Sequence, residues 1–422
     1  MPRLPRFLPR LVLLATGVAS FAPAADIPPP RPWEPDAFLP VTEARLTALP
    51  AAEQPAWRAY WQASASHARP PTKLTDPVEN RDKPLVNTAP IPAVYSTRLR
   101  LDAPAAWYAS AEARLLADNI AAWQRPSGGW TKGGDYRRTP RPEDDHHDAW
   151  SAGTFDNDST IKELRFLALV LTAGEAESSA AAWRASFLRG LDYLFAAQYP
   201  NGGFPQIYPL AGGYHDAITF NDDAMVHILE LLQDIADRPP GYAFVPADRA
   251  ALAGERLARG IACVLATQLC GADGRRTVWG QQHDALTLKP CAARNFEPIA
   301  ECSSESAGIV EFLLTIPRPS PEIVAAIDGA LAWFPARALR GVAWDRPASA
   351  GSGLVERPGA PDLWARFYEI GTGRPIFGDR DRTIHYVVTE LSSERRLGYG
   401  WYNTRAAALP ARYAAWQARR TK

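Results

Sequence analysis

The sequence predicts an all-α protein, an (α/α)3 toroid of three repeated helical hairpins whose long loops form a cleft. The first observation is an internal repeat: WQRPSGGWTK at 123–132 returns 74 residues later as AQYPNGGFPQ at 197–206. A third, blurred copy is ATQLCGADGRRTVWGQ at 266–281. The second observation is that an amphipathic helix precedes each copy and another helix follows it. Because one hairpin cannot bury its apolar face alone, we expect the three to pack together.

The helices are predicted from apolar residues at three- and four-residue spacing. The first helices of the hairpins are ASAEARLLADNIAAW at 109–123, SFLRGLDYLFAAQ at 186–198 and ERLARGIACVLATQ at 255–268. The second helices are STIKELRFLALVL at 159–171, DAMVHILELLQDI at 223–235 and SESAGIVEFLLTI at 304–316. The Gly-Gly pairs before Trp130 and Phe204 predict tight turns that place an aromatic anchor in the core.

Residues 1–24 are predicted to be a signal peptide. Three arginines precede an apolar run, and Ala22-Pro23-Ala24 offers an A-x-A cleavage site. The run is too short to span a bilayer, so we expect a secreted or periplasmic protein with no membrane span in the mature chain. Removing three arginines from 46 basic and 46 acidic residues leaves an acidic excess, which argues against a nucleic-acid partner. Residues 25–104 are interpreted as a Pro-rich N-terminal extension and residues 105–422 as the toroid domain.

The cysteines leave several possibilities open. An exported chain with Cys263, Cys270, Cys291 and Cys302 can form up to two disulfides, with three possible pairings. Buried free thiols are the alternative. A zinc site is disfavoured because no CxxC spacing is present.

Two acidic clusters stand at the starts of the second helices in the first two hairpins. TFDNDSTIKEL begins at residue 154 and TFNDDAMVHIL at residue 219, and Glu301 and Glu305 occupy the corresponding place in the third hairpin. Helix capping needs one side-chain oxygen at each start. The remaining carboxylates would meet at one end of the ring and repel one another. They are either separately solvated helix ends or ligands of a hard cation, for which Ca²⁺ fits best.

Several motifs, in the same order, resemble the family 10 polysaccharide lyases, which are pectate lyases with an (α/α)3 toroid. They are TFDNDST, YPNGGFPQIYP, TFNDDAM, WGQQHD, LKPCAARNFEP and WARFYEIGTGRPIFGDRD, and they extend over roughly residues 105–405. The resemblance implies Ca²⁺-assisted β-elimination on polygalacturonate (pectate), with proton abstraction at C5 and release of 4,5-unsaturated oligogalacturonides. The chain would bind an acidic polysaccharide, and we expect a monomer.

The resemblance also assigns roles to individual residues. Arg294 resembles the catalytic arginine of the family, and Lys289 is kept as the rival base because lysine loses its proton more readily on burial. Arg366 and Arg380 resemble the arginines that bind substrate carboxylates. The metal ligands implied are Asp156 and Asp222, with Asp223 as the fallback. Asn157 is placed at the sugar, and His283 either contacts substrate or makes a structural hydrogen bond.

Two other functions stay open at this point. A glycoside hydrolase on a helical toroid could use Asp156, Asp222 or Glu305 as its paired carboxyl groups, but the arginines would then be unexplained. A Ca²⁺-dependent, non-catalytic pectin-binding protein would keep every matched residue without turnover. The loop Asp144–Asp148 is metal-like in composition, although a solvated loop explains it more simply.

Overall fold

The structure, a computed structural model, describes residues 27–33, 39–67, 99–138, 152–174, 179–345 and 353–420. The predicted signal peptide and the loop Asp144–Asp148 lie outside these residues. The described α-helices are α1 Glu43–Thr47, α2 Gln54–His67, α3 Ala111–Trp123, α4 Ile161–Ala173, α5 Ala180–Ala197, α6 Ala224–Asp237, α7 Ala247–Thr267, α8 Ser303–Leu313, α9 Pro321–Arg337, α10 Ser393–Gly398 and α11 Leu409–Arg420. None of them is both long and apolar enough to span a membrane.

The predicted (α/α)3 toroid is confirmed. Helices α3, α5 and α7 lie on the outside, and each is followed by an inner helix, α4, α6 or α8. Helix α6 contacts both α4 and α8, and α9 packs on α7 and α8. Helices α6 and α7 pack closely at Gly260, where a Cβ would come within 2.3 Å of the Leu229 side chain. A larger residue at Gly260 would push these helices apart.

The predicted glycine turns and aromatic anchors are present. Gly128 and Gly202 have φ values of +99° and +93°, which glycine adopts without the steric cost that other residues bear. The anchors Trp130 and Phe204 are fully buried. These turns therefore return the chain into the core after each outer helix.

A repeated glutamine contact links one outer helix to the next. In each unit a glutamine directly after the helix donates to a carbonyl of the following loop and to a carbonyl of the next outer helix. The glutamines and their two acceptors are Gln124 with Gly128 and Ser186, Gln198 with Gly202 and Arg256, and Gln268 with Thr277 and Ala326. The repeated glutamines in the sequence thus correspond to a repeated hydrogen-bonded contact between successive outer helices.

Backbone hydrogen bonds link the inner loops in the same cyclic way. In each unit, the backbone N–H groups of two consecutive residues before or at the start of the inner helix donate hydrogen bonds. The first donates to the carbonyl of the aromatic anchor of the same unit, and the second donates to a carbonyl of the next unit. These bonds are Thr154 to Trp130 and Phe155 to Gln206, Thr219 to Phe204 and Phe220 to Gln281, and Cys302 to Trp279 and Ser303 to Arg366, all between 2.8 and 3.1 Å.

A fourth anchor, which the sequence analysis did not predict, follows α9. The indole N–H of Trp364 donates to a carbonyl of α9, as those of Trp130 and Trp279 do to α3 and α7. A polar residue stands two positions after each anchor. We call these four the slot residues: Lys132, Gln206, Gln281 and Arg366.

Short antiparallel strands join the loops of the toroid. They are β1 Arg31–Pro32, β2 Gly153–Thr154, β3 Ile207–Tyr208, β4 Ile218–Thr219, β5 Gln282–His283, β6 Pro290–Cys291, β7 Glu301–Cys302, β8 Val342–Trp344, β9 Leu354–Glu356, β10 Trp364–Ala365, β11 Phe367–Tyr368, β12 Pro375–Gly378, β13 Thr383–His385 and β14 Tyr402–Asn403. The largest sheet has the order β1-β13-β12-β11-β7, and smaller sheets are β2-β3, β4-β5-β6, β8-β9 and β10-β14. These strands hold the long loops at one end of the ring.

The described part of the N-terminal extension packs onto the toroid. Trp33, Leu46 and Trp57 are buried in the same hydrophobic core as the helices. The ring of Trp57 lies 5.2 Å from that of Tyr199, which follows α5. The division of residues 25–104 from 105–422 stays a prediction, but the described extension buries apolar surface against the toroid and so contributes to its stability.

The cysteines are free thiols in the structure. Cys263, Cys291 and Cys302 are buried, and Cys270 is exposed. This is the free-thiol alternative of the sequence analysis.

Candidate active site

Two short turns with the same backbone begin the inner helices α4 and α6. They are single 3-10 turns, Asp156–Asp158 and Asn221–Asp223. Their second and third residues all have positive φ, between 49° and 59°. Asn and Asp tolerate this left-handed conformation better than most side chains. Because the two turns have the same dihedral pattern, Asp156 corresponds to Asn221 and Asn157 to Asp222. Within each turn, successive side chains point in different directions.

Both turns border one cavity of about 140 Å³ at the loop end of the ring. The cavity is lined by Lys132, Asp156, Gln206, Tyr214, Asn221, Asp222, Gln282, Ala293, Arg294 and Glu297. Three predicted site residues, Asp156, Asp222 and Arg294, are therefore brought together although they come from separate parts of the chain.

The first positions of the two turns contact different slot residues. Asp156 is buried and pairs with Lys132 at 2.5 Å between Oδ2 and Nζ. Asn221 is also buried, and its amide oxygen accepts hydrogen bonds from Gln281 and, at 3.1 Å, from Arg366. The first turn thus has an ion pair where the second has a neutral amide that accepts hydrogen bonds from Gln281 and from the cationic Arg366.

The second positions differ in charge and exposure. The Asp222 carboxylate lines the cavity, has 41% of its surface exposed and lies 3.8 Å from the guanidinium of Arg366. Burial raises the pKa of Asp222, and the negative charges of Glu305 and Asp156 add to this effect although Arg366 opposes it. Asn157, its counterpart, is exposed and is not among the residues that line the cavity.

The third positions turn to other partners. Asp158 pairs with His227, and Asp223 pairs with Arg405 at 2.6 Å. Asp223 stays a prediction as a fallback metal ligand, but its carboxylate is bound by Arg405 and is not among the residues that line the cavity.

Arg294 is clamped by a carboxylate three residues later in the chain. Its Nε and Nη2 donate to the two oxygens of Glu297 at 2.8 and 2.5 Å, and Glu297 also accepts from the Tyr399 hydroxyl at 2.7 Å. Burial alone would lower the pKa of Arg294, but Glu297 outweighs burial and raises that pKa above its ordinary value. Burial would likewise raise the pKa of Glu297, but Arg294 lowers it to about 2. Arg294 is accordingly held at the cavity as a cation in the substrate-free protein, and Glu297 opposes the loss of its proton.

Arg366 is a buried cation beside the cavity, whereas the Arg294 side chain is 40% exposed. Arg366 pairs with Glu305, which also accepts from the Cys302 thiol at 2.6 Å. Its guanidinium lies 4.9 Å from the Tyr399 ring, and that of Arg294 lies 5.8 Å from the same ring. Tyr399 thus stands between the two arginines and contacts both.

Comparison with known proteins identifies the family of this site. The profile of the family described as pectic acid lyase matches residues 124–409, which is more than half of the chain. This chain belongs to the pectic acid lyase family. No curated protein sequence matches the chain significantly.

Solved structures agree with this assignment to the pectic acid lyases. A family 10 polysaccharide lyase from Cellvibrio cellulosa is 32% identical, with a TM-score of 0.64 and coverage of 76% of this chain and 99% of that chain. An aspartate-to-alanine mutant of a family 10 polysaccharide lyase from Cellvibrio cellulosa, in complex with trigalaturonic acid, is also 32% identical, with a TM-score of 0.64 and coverage of 74% and 96%. The chain is therefore a polysaccharide lyase.

Other predicted site residues of this pectic acid lyase lie away from the cavity. Lys289 is exposed on the turn that joins β5 to β6 and does not line the cavity, which disfavours it as the base. His283 is fully buried; its Nδ1 lies 2.9 Å from the Leu288 carbonyl, and its Nε2 accepts from the Gly280 N–H. This geometry matches the structural alternative and not the substrate contact.

Arg380 lies at the rim of the site. It pairs with Glu394 through two hydrogen bonds of 3.0 and 3.1 Å, and its guanidinium lies 5.4 Å from the Phe296 ring. Arg294 lies over the same ring at 4.8 Å. Arg380 is thus connected to the cavity through Phe296 without lining it.

The sequence analysis missed several residues of the site. Lys132 and Gln206 line the cavity as slot residues, and aligning the copies two positions after Trp130 and Phe204 would have drawn attention to them. Glu297 stands in the quoted motif LKPCAARNFEP but was given no role. Its spacing of three from Arg294 is compatible with an ion pair, and no sequence pattern separates it from other surface pairs.

The donor atoms of the cavity fit a hard divalent cation. Asp156 and Asp222 supply carboxylates, and the buried amide oxygens of Gln206 and Gln282 lack hydrogen-bond partners within the described structure. Oxygen donors of this kind suit Ca²⁺. The described residues contain no group of three histidine, cysteine, aspartate or glutamate side chains able to hold a metal. The two aspartates would therefore need amide, water or substrate oxygens to complete the coordination.

Proposed function

We propose that this polysaccharide lyase is an exported, monomeric pectate lyase that cleaves polygalacturonate by Ca²⁺-assisted β-elimination and releases 4,5-unsaturated oligogalacturonides. The observation that carries the proposal is the convergence of Asp156, Asp222 and Arg294 on one cavity, with the guanidinium of Arg366 3.8 Å from the Asp222 carboxylate. Guanidinium groups match carboxylates, which a uronate has and a neutral sugar lacks. The trigalaturonic acid bound to the solved neighbour supports an acidic substrate of this class.

The reaction begins at C5 of a uronate, whose proton lies α to the carboxylate. A base accepts this proton, the electron pair of the C5–H bond forms the C4=C5 double bond, and the C4–O4 bond breaks. The leaving oxygen then takes up a proton from solvent. Asp156 and Asp222 would hold Ca²⁺, whose charge stabilises the negative charge that develops on the carboxylate.

Arg366 is suited to neutralise the substrate carboxylate. It is buried between Glu305, Asn221 and Tyr399, so its guanidinium is held in place before substrate arrives. A preorganised cation in a site that excludes water stabilises developing negative charge better than a solvated one.

Arg294 is the proposed base. It can accept the C5 proton only after losing one of its own, and the pair with Glu297 opposes that loss by raising the pKa of Arg294. We therefore expect turnover to require alkaline pH and to rise as pH increases, since the neutral form of Arg294 becomes more populated.

Ultraviolet absorbance of the unsaturated product tests the function. The purified protein is incubated with polygalacturonate in the presence of Ca²⁺ and, separately, with a chelator. Absorbance that rises with Ca²⁺ and stops with chelator supports elimination and the metal requirement together. New reducing ends without absorbance would instead mean hydrolysis, and binding without either product would mean a non-catalytic pectin-binding protein.

Arg294→Ala tests the assignment of the base. The variant should lose turnover by at least ~10³-fold, because proton abstraction and its electrostatic support are both removed. Binding of trigalacturonic acid, measured by calorimetry, should persist through Arg366. A variant that still cleaves at the wild-type rate would show that another group is the base.

A further inference from the structure

Two loops beside the cavity carry residues that line it, and one of them leads to Arg294, the base of the proposed reaction. The turn Gly213–Asp216 carries Tyr214, which lines the cavity. The hairpin formed by β5 and β6 carries Gln282 on its first strand, and its second strand leads after two residues to Arg294. Any change in the separation of these loops would move Tyr214 relative to Arg294.

Residues 39–47 of the N-terminal extension contact both loops. The backbone N–H of Val41 donates to Asp216 Oδ2 at 3.3 Å. Arg45 Nη2 pairs with Asp284 Oδ2 at 2.7 Å. We call residues 39–47 the bridge segment, because one short stretch of chain spans from the Tyr214 loop to the Arg294 hairpin.

The two aspartates each organise their own loop with the other carboxylate oxygen. Asp216 Oδ1 accepts from the Gly212 N–H at 2.8 Å. Asp284 Oδ1 accepts from the Leu286 N–H at 3.2 Å and from both the N–H and the hydroxyl of Thr287, at 2.7 and 2.8 Å. Asp216 and Asp284 are only 2% and 1% exposed, so each buried charge depends on its partners.

The bridge segment is itself held rigidly. Arg45 Nη1 donates to the carbonyls of Leu39 and Pro40 at 2.5 and 3.0 Å, while its Nη2 contacts Asp284. Val41 and Leu46 are buried in the core. Only the fork of an arginine can bind its own segment and the hairpin in this way at once.

We propose that the bridge segment is a clamp that fixes the Tyr214 loop relative to the Arg294 hairpin, with Arg45 as a positioning residue for elimination. The proposal rests on the proposed function for its effect on turnover. It assigns to the extension a role in the reaction, in addition to the apolar surface that it buries.

Arg45→Ala tests the clamp. Turnover of polygalacturonate at 25 °C should fall about 10- to 100-fold with a much smaller change in KM, because loss of alignment affects reacting groups more than overall binding. Amide hydrogen exchange should increase in residues 211–217 and 282–294. Arg31→Ala is the matched control: Arg31 lies in the same extension but outside the bridge segment, pairs with Glu369 at 2.9 Å, and should change turnover less than twofold.

A double mutant separates positioning from general destabilisation. Arg45→Ala combined with Asp284→Asn should be no slower than the slower single variant, since both changes break one contact. Arg45→Lys should recover only part of the turnover, because lysine keeps the charge without the fork. Wild-type turnover and unchanged exchange in Arg45→Ala would overturn the clamp. If the wild-type protein forms no unsaturated product, the proposed function fails, while the exchange measurement still decides the clamp.

Discussion

The turns Asp156–Asp158 and Asn221–Asp223 share a backbone but present their charge to the cavity from different positions. In the first turn the leading residue, Asp156, is the cavity carboxylate and Asn157 is exposed. In the second turn Asn221 is neutral and Asp222 is the cavity carboxylate. The repeat therefore preserves the path of the chain while each copy places its carboxylate separately.

The slot residues explain this difference. Asp156 stands beside Lys132, so its charge is paired. Asn221 stands beside Arg366, which also pairs with Glu305 and lies 3.8 Å from Asp222. A further carboxylate at position 221 would add negative charge beside Arg366 and, on the proposed function, weaken its attraction for a uronate. The neutral residue at position 221 adds no such charge.

Among changes within the two turns, the largest effect is expected from removing the cavity charge of the second turn. Asp222→Asn should lower kcat/KM by ~10²–10³-fold, because a preorganised charge at the reaction centre is lost, and excess Ca²⁺ should restore part of the activity. Asp223→Asn is the matched control, since Asp223 pairs with Arg405 away from the cavity. Measured at several Ca²⁺ concentrations, equal losses in the two variants would contradict the distinction between second and third positions.

Exchanging the two side chains tests the comparison directly. The double variant Asn221→Asp with Asp222→Asn gives the second turn the charge order of the first. We expect KM to rise about tenfold, because a carboxylate at position 221 would compete with substrate for Arg366. Kinetics on polygalacturonate measure this. A KM equal to that of the wild-type protein would show that a carboxylate at position 221 does not compete with substrate for Arg366.

Glu297→Gln tests the ion pair between Glu297 and Arg294, the cation that lines the same cavity as these turns. Glu297 has a pKa of about 2 against an ordinary value of 4.5, so its stabilising effect is present above pH 4.5 and is lost as pH falls toward 2. The wild-type protein should lose on the order of 2 kcal/mol of unfolding free energy from this source across that interval. Urea unfolding at pH 7, 4 and 3 should show a smaller loss in Glu297→Gln.

The same variant should change the pH dependence of turnover. Without the carboxylate, the pKa of Arg294 is no longer raised by Glu297, so the rise of kcat with pH should begin at lower pH. Maximum kcat should nonetheless decrease, because the guanidinium is held less firmly. An unshifted pH profile would argue that Arg294 does not gain or lose a proton during turnover.

The smallest effect is expected at the third position of the first turn. Burial would lower the pKa of His227, but Asp158 outweighs burial and raises it. The stabilisation is therefore complete below pH 6.5 and is lost as pH rises through the raised pKa. Because Asp158 is half exposed, Asp158→Asn should reduce stability by only about 0.5 kcal/mol at pH 6 and by less at pH 9. Thermal unfolding of the wild-type and Asp158→Asn proteins at pH 6 and pH 9 measures this loss. An equal loss at both pH values would show that Asp158 has a larger role than its pair with protonated His227.

The sequence predicted the toroid because helix periodicity and glycine turns are local signals. Asp156, Asp222, Arg294 and Arg366 were also identified, because each stands in a motif whose neighbours define the family. The fourth anchor, Trp364, was not predicted because the residues before it lack the Gly-Gly pair and the glutamine of the first two copies.

Contacts between distant residues could not be predicted. The left-handed backbone of the turns decides that Asp222 faces the cavity and Asp223 does not, and this conformation has no distinct sequence signature. The pair of Asp156 with Lys132, 24 residues apart, forms only when the outer and inner helices pack. Lys289 is close to Arg294 in sequence, but the β5–β6 hairpin places it at the surface, and this could not be predicted from the spacing.

The slot residues have a consequence for how such a ring can change over evolutionary time. Successive units are joined through the backbone carbonyls of Gln206, Gln281 and Arg366, whose side chains take no part in these bonds. Mutation at a slot can therefore alter the charge that a sugar polymer meets at that position while the joint between units stays intact. A duplicated scaffold of this kind can diverge toward polymers with a different spacing of acidic groups through single substitutions, without inventing a new fold.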